Sequence, residues 1–382
     1  MRKIGCILLA LAMLLGVLPA RAWAADLAVA GKSALLMDAA TGTVLYEKNA
    51  HEKLAPASVT KVMTLLLIME AIDAGKIGWE DPVTASETAA AKGGSQIYLK
   101  AGETMSVTDM VKSIAVSSAN DCACAMAEHI AGSETAFVSM MNKRAQELGM
   151  NDTNFVNCTG LDDDPEAKAH VTSAYDIAIM SRQLLKEHPD IKKFTTIWMD
   201  TVRNGTFGLS NTNKLVRFYQ GCTGLKTGFT AAAGYCLSAS AKRDGLELIA
   251  VVMGAESSQD RFQACKQMLD YGFANFALVE PEITQTNHVA VKLGTAETVL
   301  AVPAQLPQLL IDKAQRGDVT TRIQLETEVT APVSQGQRLG TLTIHAGDQV
   351  LAQVPMVAAE AVPRRTWWQI FVGLLKRVTM AA

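Results

Sequence analysis

The sequence predicts an α/β fold of the α+β type: an antiparallel sheet flanked by helices, then a small all-β domain and a C-terminal amphipathic helix. Helical periodicity dominates as far as about residue 187, and strand-like runs begin near Thr223. Beyond Val279, β-branched runs are separated by Gly and Pro turns. The chain of 382 residues is too long for one typical domain and fits two.

The first domain is expected at 25–278 and the second at 279–360. In the first, one hairpin joins 34–38 to 43–46, and another pairs 235–241 with 246–253. Helices are expected at about 58–74, 107–114, 121–130, 134–148, 174–186 and 258–276. In the second domain the pattern predicts strands at 288–293, 323–329, 338–344 and 349–354.

The N-terminal end predicts export. Residues 1–24 have a short basic start, an apolar run from Ile4 to Leu18 and small residues at Ala22 and Ala24, which is typical of a secretory signal peptide cleaved after Ala24. A retained membrane anchor is the alternative, but the run is shorter than the roughly 20 residues that a span needs. We therefore expect the protein at the extracytoplasmic face of the cytoplasmic membrane.

Residues 361–382 are expected to form a membrane-association helix. One side of it, at a period of 3.6, carries the apolar residues Trp367, Phe371, Leu374 and Val378, and basic residues face away. Such a helix lies flat in the membrane interface, with its tryptophans at headgroup depth. The alternative is a helix that docks on the protein's own body.

Charge and cysteine spacing argue against two classes of function. A formal net charge of -3 gives no electrostatic reason to expect a nucleic-acid partner. The cysteines lack zinc-type spacing, so the sequence identifies no zinc site. Export permits disulfides, but the spacing identifies none, so buried free thiols are expected at positions 122, 124, 158, 222, 236 and 265.

Three short motifs carry the candidate chemistry. They are S-x-x-K at Ser58-Val59-Thr60-Lys61, S-x-N at Ser118-Ala119-Asn120, and K-T-G at Lys226-Thr227-Gly228, and each occurs once. Singly each is a weak signal, but all three in this order, each in a suitable element, are specific. The combination of S-x-x-K with S-D-N and K-T-G is the signature of β-lactamases and penicillin-binding proteins.

Helical spacing explains the first motif. Residues three apart share a helix face, so Lys61 can reach the hydroxyl of Ser58 and take its proton. This requires an amine that is neutral part of the time, which burial and a nearby charge from Lys226 would favour. The start of the helix adds the positive end of its dipole. The alternative role for Ser58 is that of a helix N-cap.

The second motif is expected in a loop before a helix that starts near Asp121. There the hydroxyl of Ser118 can relay a proton to a leaving amine, and the amide of Asn120 can bind the substrate backbone. Helix capping is again the alternative, because Ser, Asn and Asp are all favoured at helix starts.

The third motif opens the strand-rich part of the chain. The ammonium of Lys226 and the hydroxyl of Thr227 make a receptor for a terminal carboxylate. Gly228 lets a substrate backbone approach the strand edge and pair with it. The backbone N–H groups of Ser58 and Phe229 are the candidate oxyanion hole. A simple turn before a strand would explain the glycine but neither of its partners.

On these motifs the chain resembles the low-molecular-mass penicillin-binding proteins, specifically the D-alanyl-D-alanine carboxypeptidase family. The similarity includes the flanking segments 56–64, 118–123 and 224–235, the β domain and the terminal helix. It implies a penicillin-binding transpeptidase-like fold. Two positions depart from many relatives: Ala119 replaces a glycine, and Phe229 stands where some have histidine.

The resemblance implies a serine acyl-transfer reaction on peptidoglycan pentapeptides that end in D-Ala-D-Ala. Ser58 attacks the carbonyl between the two D-alanines, Lys61 acts as general base, and Ser118 passes the proton to the departing D-alanine. Lys226 and Thr227 hold its carboxylate, the amide of the second motif holds the acyl part, and water hydrolyses the ester. The resemblance implies that neither a metal nor an organic cofactor is needed. β-Lactam antibiotics should acylate the same serine.

Three alternatives stay open. A class A β-lactamase shares the motifs but would need an E-P-x-L-N segment, and residues 163–167 have their acidic groups in another order. A transpeptidase or endopeptidase would pass through the same ester intermediate. A catalytically silent wall-binding protein would fail to react with penicillin.

Overall fold

The computed structural model describes residues 27–163, 165–283 and 285–372. It divides into two compact units that meet between Ala274 and Asn275, whereas the sequence placed the boundary after residue 278. The expected signal peptide, 1–24, and residues 373–382 of the expected membrane helix lie outside the described residues.

The N-terminal unit is built on a five-stranded antiparallel sheet. The strands of the whole unit are β1 (Ser33–Asp38), β2 (Val44–Lys48), β3 (Pro82–Thr84), β4 (Thr104–Ser106), β5 (Met199–Val202), β6 (Phe207–Ser210), β7 (Cys222–Thr230), β8 (Gly234–Arg243) and β9 (Leu246–Ala255). The main sheet has the order β2-β1-β9-β8-β7, and β3-β4 and β5-β6 form separate pairs. Both predicted hairpins are confirmed, and β7 lies at an open edge of the sheet.

Six longer helices belong to this unit: α1 (Lys61–Asp73), α2 (Val107–Ser117), α3 (Asn120–Ala131), α4 (Glu134–Glu147), α5 (Ala174–Glu187) and α6 (Ser258–Asn275). Single helical turns lie at Glu87–Ala90, Lys192–Thr195 and Leu215–Phe218, and 3-10 turns at Ala57–Thr60, Pro165–Ala169 and Pro189–Ile191. Every helix predicted for this unit is confirmed within a few residues.

The sheet separates two apolar layers. Successive residues of a strand face opposite sides, so Leu35 and Met37 pack with the buried helix α1, whereas Leu36 faces α6. A methyl group on Gly272 of α6 would lie 2.4 Å from Cδ1 of Leu248, which shows how closely that helix approaches the strands. Because α1 is apolar all round, it is buried on all sides from Lys61 to Met69 and becomes exposed only at its C-terminal end, at Asp73.

The C-terminal unit is all-β, as predicted. Its strands are β10 (Phe276–Val279), β11 (His288–Lys292), β12 (Thr298–Pro303), β13 (Leu309–Asp312), β14 (Val319–Leu325), β15 (Glu328–Thr330), β16 (Arg338–Ala346) and β17 (Gln349–Ala358), with a 3-10 turn at Lys313–Asp318. Six of them form a sheet in the order β14-β16-β17-β12-β11-β15, and β10 pairs with β13.

Two details of this unit differ from the sequence prediction. The single strand expected at 323–329 is two strands, β14 and β15, at opposite edges of the sheet. The alternating pattern runs through both, because alternation reports burial but not which edge a strand joins. The strands β12 and β13 were not predicted. Residues 367–372 are helical, and no helix of the described residues is long and apolar enough to cross a membrane.

Candidate active site

The S-x-x-K motif sits where a 3-10 turn runs into α1. Ser58 lies in the turn and is partly exposed, whereas Lys61, the first residue of the helix, is completely buried. The Nζ of Lys61 donates hydrogen bonds to Oγ of Ser58 at 3.0 Å and to the carbonyl of Thr159 at 2.9 Å. Neither helical segment has a side-chain N-cap, so the capping interpretation of Ser58 is wrong.

Burial sets the basicity of Lys61. It lowers the pKa of this lysine to about 7, although Cys158 and Asp121 act to raise it. A substantial fraction of the amine is therefore neutral at neutral pH and able to accept a proton. The sequence had assigned part of this effect to the charge of Lys226. Burial is the cause at Lys61, and the pKa of Lys226 is lowered by its own burial and then by Lys61 and Arg261.

The nucleophile turn has an unusual backbone that other residues hold in place. Ala57 has a left-handed φ of 48°, and its carbonyl faces Gly160 so closely that a methyl group there would lie 1.9 Å away. The hydroxyl of Thr60 donates to the same carbonyl at 2.8 Å. Position 160 therefore requires glycine, for its own positive φ of 80° as well as for the space.

His170 supports this turn, a role that sequence reasoning did not find. The N–H of Val156 donates to its Nδ1 at 3.1 Å, so Nε2 carries the hydrogen and donates to Oγ1 of Thr60 at 2.8 Å. Burial, and secondarily the charge of Lys61, lowers the pKa of His170 to about 4, which keeps the ring neutral. The histidine is thus a positioning group and not a base.

The S-x-N motif lies in the short link between two helices, as expected, except that its last residue already belongs to the second helix. Ser118 ends α2 in the left-handed region, with φ 63°, and Asn120 is the first residue of α3. The capping interpretation is wrong here too, because α3 has no side-chain cap. Oγ of Ser118 and Oδ1 of Asn120 are buried without a hydrogen-bond partner among the described residues. Both atoms are therefore available to a ligand.

The start of α3 also carries a residue that the sequence analysis did not single out for the site. The carboxylate of Asp121 accepts hydrogen bonds from the backbone N–H groups of Ile97 and Leu99 and acts to raise the pKa of Lys61. The amide of Asn120 donates to the carbonyl of Gly93 at 2.7 Å. These contacts fix the second motif within electrostatic range of the first.

The K-T-G motif lies on the edge strand β7, against the nucleophile turn. A methyl group on Gly228 would lie 2.6 Å from the carbonyl oxygen of Pro56 and 3.1 Å from the backbone nitrogen of Ser58. Only a glycine lets the strand approach so closely. Phe229 follows directly, so its backbone nitrogen lies near that of Ser58.

The side chains of this motif are arranged for different roles. Lys226 and Thr227 are buried, the ammonium donates to the carbonyl of Thr227 at 2.9 Å, and the hydroxyl of Thr227 donates to that of Thr212 at 2.7 Å. Phe229 is 54% exposed and lies against the ring of Tyr235, with 4.3 Å between ring centroids.

Arg261 of α6 is a third residue that sequence reasoning missed. Its Nη1 donates to the carbonyl of Gly228 at 2.8 Å and to that of Cys236 at 3.3 Å, which ties β7 and β8 together behind the K-T-G motif. The sequence did contain a signal for this role, because an arginine at position 261 falls on the apolar face of α6, four residues before the buried Cys265. A charged residue on a buried face usually has a specific partner.

The arrangement as a whole can perform acyl transfer through a serine. A lysine of lowered pKa contacts the hydroxyl of Ser58, the edge strand β7 lies against the same turn, and the buried Lys226 lies on that strand. Within the described residues, no group of three or more His, Cys, Asp or Glu side chains could hold a metal ion.

Comparison with known proteins agrees with this geometry. A family model described as D-alanyl-D-alanine carboxypeptidase matches residues 20–257, and one described as penicillin-binding protein 5, C-terminal domain, matches residues 281–364. D-alanyl-D-alanine carboxypeptidase DacF of Bacillus subtilis is 44% identical over 359 residues, which are 92% of this chain and 90% of the relative.

Two solved structures extend the comparison to the fold. Penicillin-binding protein 5 from Haemophilus influenzae has a TM-score of 0.75 and 30% identity, and the match covers 89% of this chain and 100% of that one. Penicillin-binding protein D2 from Listeria monocytogenes, in its ampicillin-bound form, has a TM-score of 0.60 and 31% identity over 65% of this chain and 100% of its own. The chain therefore belongs to the D-alanyl-D-alanine carboxypeptidase family of low-molecular-mass penicillin-binding proteins, and it is an enzyme with their transpeptidase-like fold.

Proposed function

We propose that Ser58 is the nucleophile through which this carboxypeptidase removes the terminal D-alanine of peptidoglycan stem peptides. The observation that carries the proposal is the 3.0 Å contact between its hydroxyl and Lys61, whose pKa of about 7 makes it a base at neutral pH. Lys61 takes the hydroxyl proton while Oγ attacks the carbonyl carbon between the two D-alanines. The N–H groups of Ser58 and Phe229 stabilise the oxyanion that forms.

Collapse of that intermediate breaks the C–N bond and leaves an ester on Ser58. The departing amine needs a proton, which Lys61 returns through the buried hydroxyl of Ser118. A water molecule then attacks the ester, and the serine is released with the shortened peptide. The unpartnered hydroxyl of Ser118 supports this relay, because a buried hydroxyl without a protein partner is one that a reaction can use.

The same proposal assigns the two ends of the substrate. The terminal carboxylate lies between the ammonium of Lys226 and the hydroxyl of Thr227, since burial makes an unneutralised ammonium costly and a carboxylate offsets that cost. The acyl side of the peptide lies along the edge of β7, and the unpartnered Oδ1 of Asn120 accepts a hydrogen bond from its backbone.

β-Lactams are proposed as covalent inhibitors of the same site. The ring carbonyl of a penicillin stands in for the carbonyl between the two D-alanines, and its carboxylate stands in for the chain end. The similarity to the ampicillin-bound penicillin-binding protein D2 supports this assignment. Opening of the ring leaves a stable ester on Ser58 because no leaving group departs to make room for water.

Intact-mass spectrometry tests the enzyme chemistry directly. The protein is mixed with penicillin or with a peptide ending in D-Ala-D-Ala, and we expect a one-to-one penicillin adduct and release of one D-alanine per peptide. Ser58→Ala should lose both, whereas Ser334→Ala, an exposed serine of the C-terminal unit, should keep both. D-alanine release by Ser58→Ala would remove the serine from its role.

Export and membrane attachment complete the proposal. The leader at 1–24 supports export, and the exposed side chains of Trp367 and Trp368, 74% and 64% accessible, support an interfacial helix. Both rings stack on Phe371, with centroid distances of 5.4 and 5.7 Å. Three adjacent aromatic side chains open to solvent form a surface suited to the headgroup region of a bilayer.

Vesicle flotation tests the attachment. The chain should float with anionic lipid vesicles, and a chain that ends at Pro363 should stay in solution while it reacts with penicillin at the same rate. A full chain that ignores vesicles would contradict the proposed helix. N-terminal sequencing of protein recovered outside the cytoplasm tests cleavage after Ala24.

A further inference from the structure

Two thiols and a carboxylate lie together behind the catalytic lysine, and the mechanism uses none of them. Cys124 of α3 and Cys158, in the segment before Thr159, are both completely buried. The Sγ of Cys158 lies 3.2 Å from Oε1 of Glu134, and the Sγ of Cys124 lies 3.8 Å from its Oε2. The two thiols therefore contact the two oxygens of one carboxylate.

Glu134 is held in place as an anion. Lys92 donates to its Oε2 at 2.6 Å, and the backbone N–H of Cys158 donates to its Oε1 at 3.1 Å. Burial alone would raise the pKa of Glu134, but the bonds from Lys92 and Cys158 outweigh it and lower the pKa. The carboxylate therefore fixes the position of the Cys158 backbone as well as that of its thiol.

The backbone at Cys158 is in direct contact with the catalytic helix. The carbonyl of Cys158 accepts a hydrogen bond from Oγ1 of Thr64 at 2.6 Å, and the next carbonyl, of Thr159, accepts the bond from Nζ of Lys61. The carbonyl that positions the amine of Lys61 therefore belongs to the residue directly after Cys158, so a movement of the Cys158 sulfur atom can be passed to it through the backbone.

We propose that Cys124 and Cys158 form a redox-linked pair that closes to a disulfide, and that this bridge slows acylation of Ser58. The oxidant is a disulfide of the glutathione class. One cysteine thiolate attacks it and releases one glutathione thiolate, and the second cysteine thiolate then attacks the mixed disulfide and releases another. The protein loses two electrons and two protons, and the glutathione disulfide gains them as two thiols.

The packing decides when the bridge forms. The neighbouring Cys124 thiol, then burial and the carboxylate of Glu134, raise the pKa of Cys158 well above its usual range, so the folded protein contains little thiolate there. The bridge therefore closes while the chain folds in the presence of oxidant, and slowly afterwards. This fits a protein that meets an oxidising compartment only during and after export, which is the proposed location.

The bridge affects the site through geometry. An S–S bond of about 2.05 Å is shorter than any contact between two thiols, so closing it draws the sulfur atom of Cys158 away from Glu134. The carbonyls of Cys158 and Thr159 shift with it, and the amine of Lys61 loses alignment with Ser58. Small displacements of a reacting group cost large factors in rate.

Refolding of the full chain tests the proposal. Reduced, denatured protein is refolded with oxidised or with reduced glutathione, alkylated and digested without reductant. With oxidised glutathione we expect a disulfide-linked peptide pair that contains positions 124 and 158, and labelled penicillin should acylate the protein on the order of tenfold more slowly. Added dithiothreitol should restore the rate. The linked peptide is read without any enzyme assay, so it stands apart from the proposed function.

Variants separate the bridge from other oxidation. Cys222→Ser removes the half-buried cysteine outside the cluster and should keep both the linked peptide and the slow acylation. Cys124→Ala should lose both. Absence of the linked peptide from folded wild-type protein would overturn the pair, and a linked peptide with an unchanged acylation rate would overturn its effect on the site. The wild-type measurement decides the question even where Cys124→Ala fails to fold.

Discussion

The interiors of the two units differ in the polarity of their buried side chains. In the N-terminal unit, charged groups such as Lys61, Asp121, Lys226 and Arg261 are buried together with unpartnered polar atoms. In the described part of the C-terminal unit, every buried side chain is apolar, and the core is made by residues such as Leu342 and Met356. Burying a charge reduces stability unless a partner compensates for it. The proposed reaction accounts for these costly groups in the N-terminal unit, whereas packing alone accounts for the interior of the C-terminal unit.

Lys61→Met should have the largest effect on the acylation rate. It tests most directly whether the N-terminal unit keeps a buried charge at the expense of stability. Loss of the base should slow acylation by at least on the order of a thousandfold. An apolar side chain of similar length removes a buried amine, so the free energy of unfolding should rise by about 1–2 kcal/mol. Acylation by labelled penicillin and urea unfolding measure the two effects. Lys53→Met, at a lysine whose side chain is 57% exposed, is the control and should change neither. A less stable Lys61→Met would show that the buried amine is not a cost.

Ser118→Ala is expected to have the next largest effect. Without the relay hydroxyl, acylation should slow on the order of a hundredfold, while stability stays close to that of the wild type because the hydroxyl has no protein partner. Ser113→Ala is a matched control on the same helix, since its hydroxyl donates to the carbonyl of Asp109 at 2.7 Å. It should lose about 1 kcal/mol of stability and keep its activity. Equal activities in the two variants would exclude the relay.

The pH dependence of acylation sharpens the assignment of the base. Below a pH of about 7, Lys61 is protonated and cannot accept the hydroxyl proton, so the rate should fall about tenfold per pH unit and level off above pH 7. The free energy of unfolding should also depend on the protonation of Lys61. Between pH 7 and the ordinary lysine value of 10.5, the unfolded chain binds a proton that the folded chain does not, so the unfolding free energy should rise with pH. A rate that is flat from pH 5 to 8 would contradict this base.

Leu342→Ala should have the smallest effect on activity. Removal of a buried leucine from the C-terminal unit should reduce the stability of that unit by about 2–4 kcal/mol and leave acylation unchanged. The matched variant Leu66→Ala, in the buried helix that carries Lys61, should reduce both. A loss of acylation in Leu342→Ala would mean that the reaction depends on both units.

The sequence predicted the fold class, the helices of the N-terminal unit and every member of the three motifs. It did so because helical and strand periodicities and short motifs are local properties. The contact between Ser58 and Lys61 is of this kind, since three residues along a helical turn bring them together. The strands β12 and β13 were not predicted, although β12 forms a hairpin with its neighbour β11. The strand β13 has only four residues, and its partner β10 lies about 30 residues earlier in the chain.

The residues that support the three motifs could not be predicted, because they are brought to the site by contacts between distant parts of the chain. Thr159, His170 and Arg261 act on the motifs from about 35 to 110 residues away along the chain, and only the tertiary fold brings them near. The basicity of Lys61 is also a tertiary property, because burial by the whole unit sets it. The sequence correctly required a partly neutral amine, but it assigned part of the cause to Lys226.

The buried cations on β7 and α6 bear on how the released amino acid leaves. Among the described residues, neither Lys226 nor Arg261 has an acidic side chain within salt-bridge distance. A peptide's chain end arrives with a negative charge and a neutral amide, and so it balances them. Once the bond is cut, the freed D-alanine gains a proton on its nitrogen and becomes a zwitterion. Under the proposed mechanism, the ammonium that it now carries is repelled by the cations that its carboxylate had balanced, which favours departure of the first product before water enters.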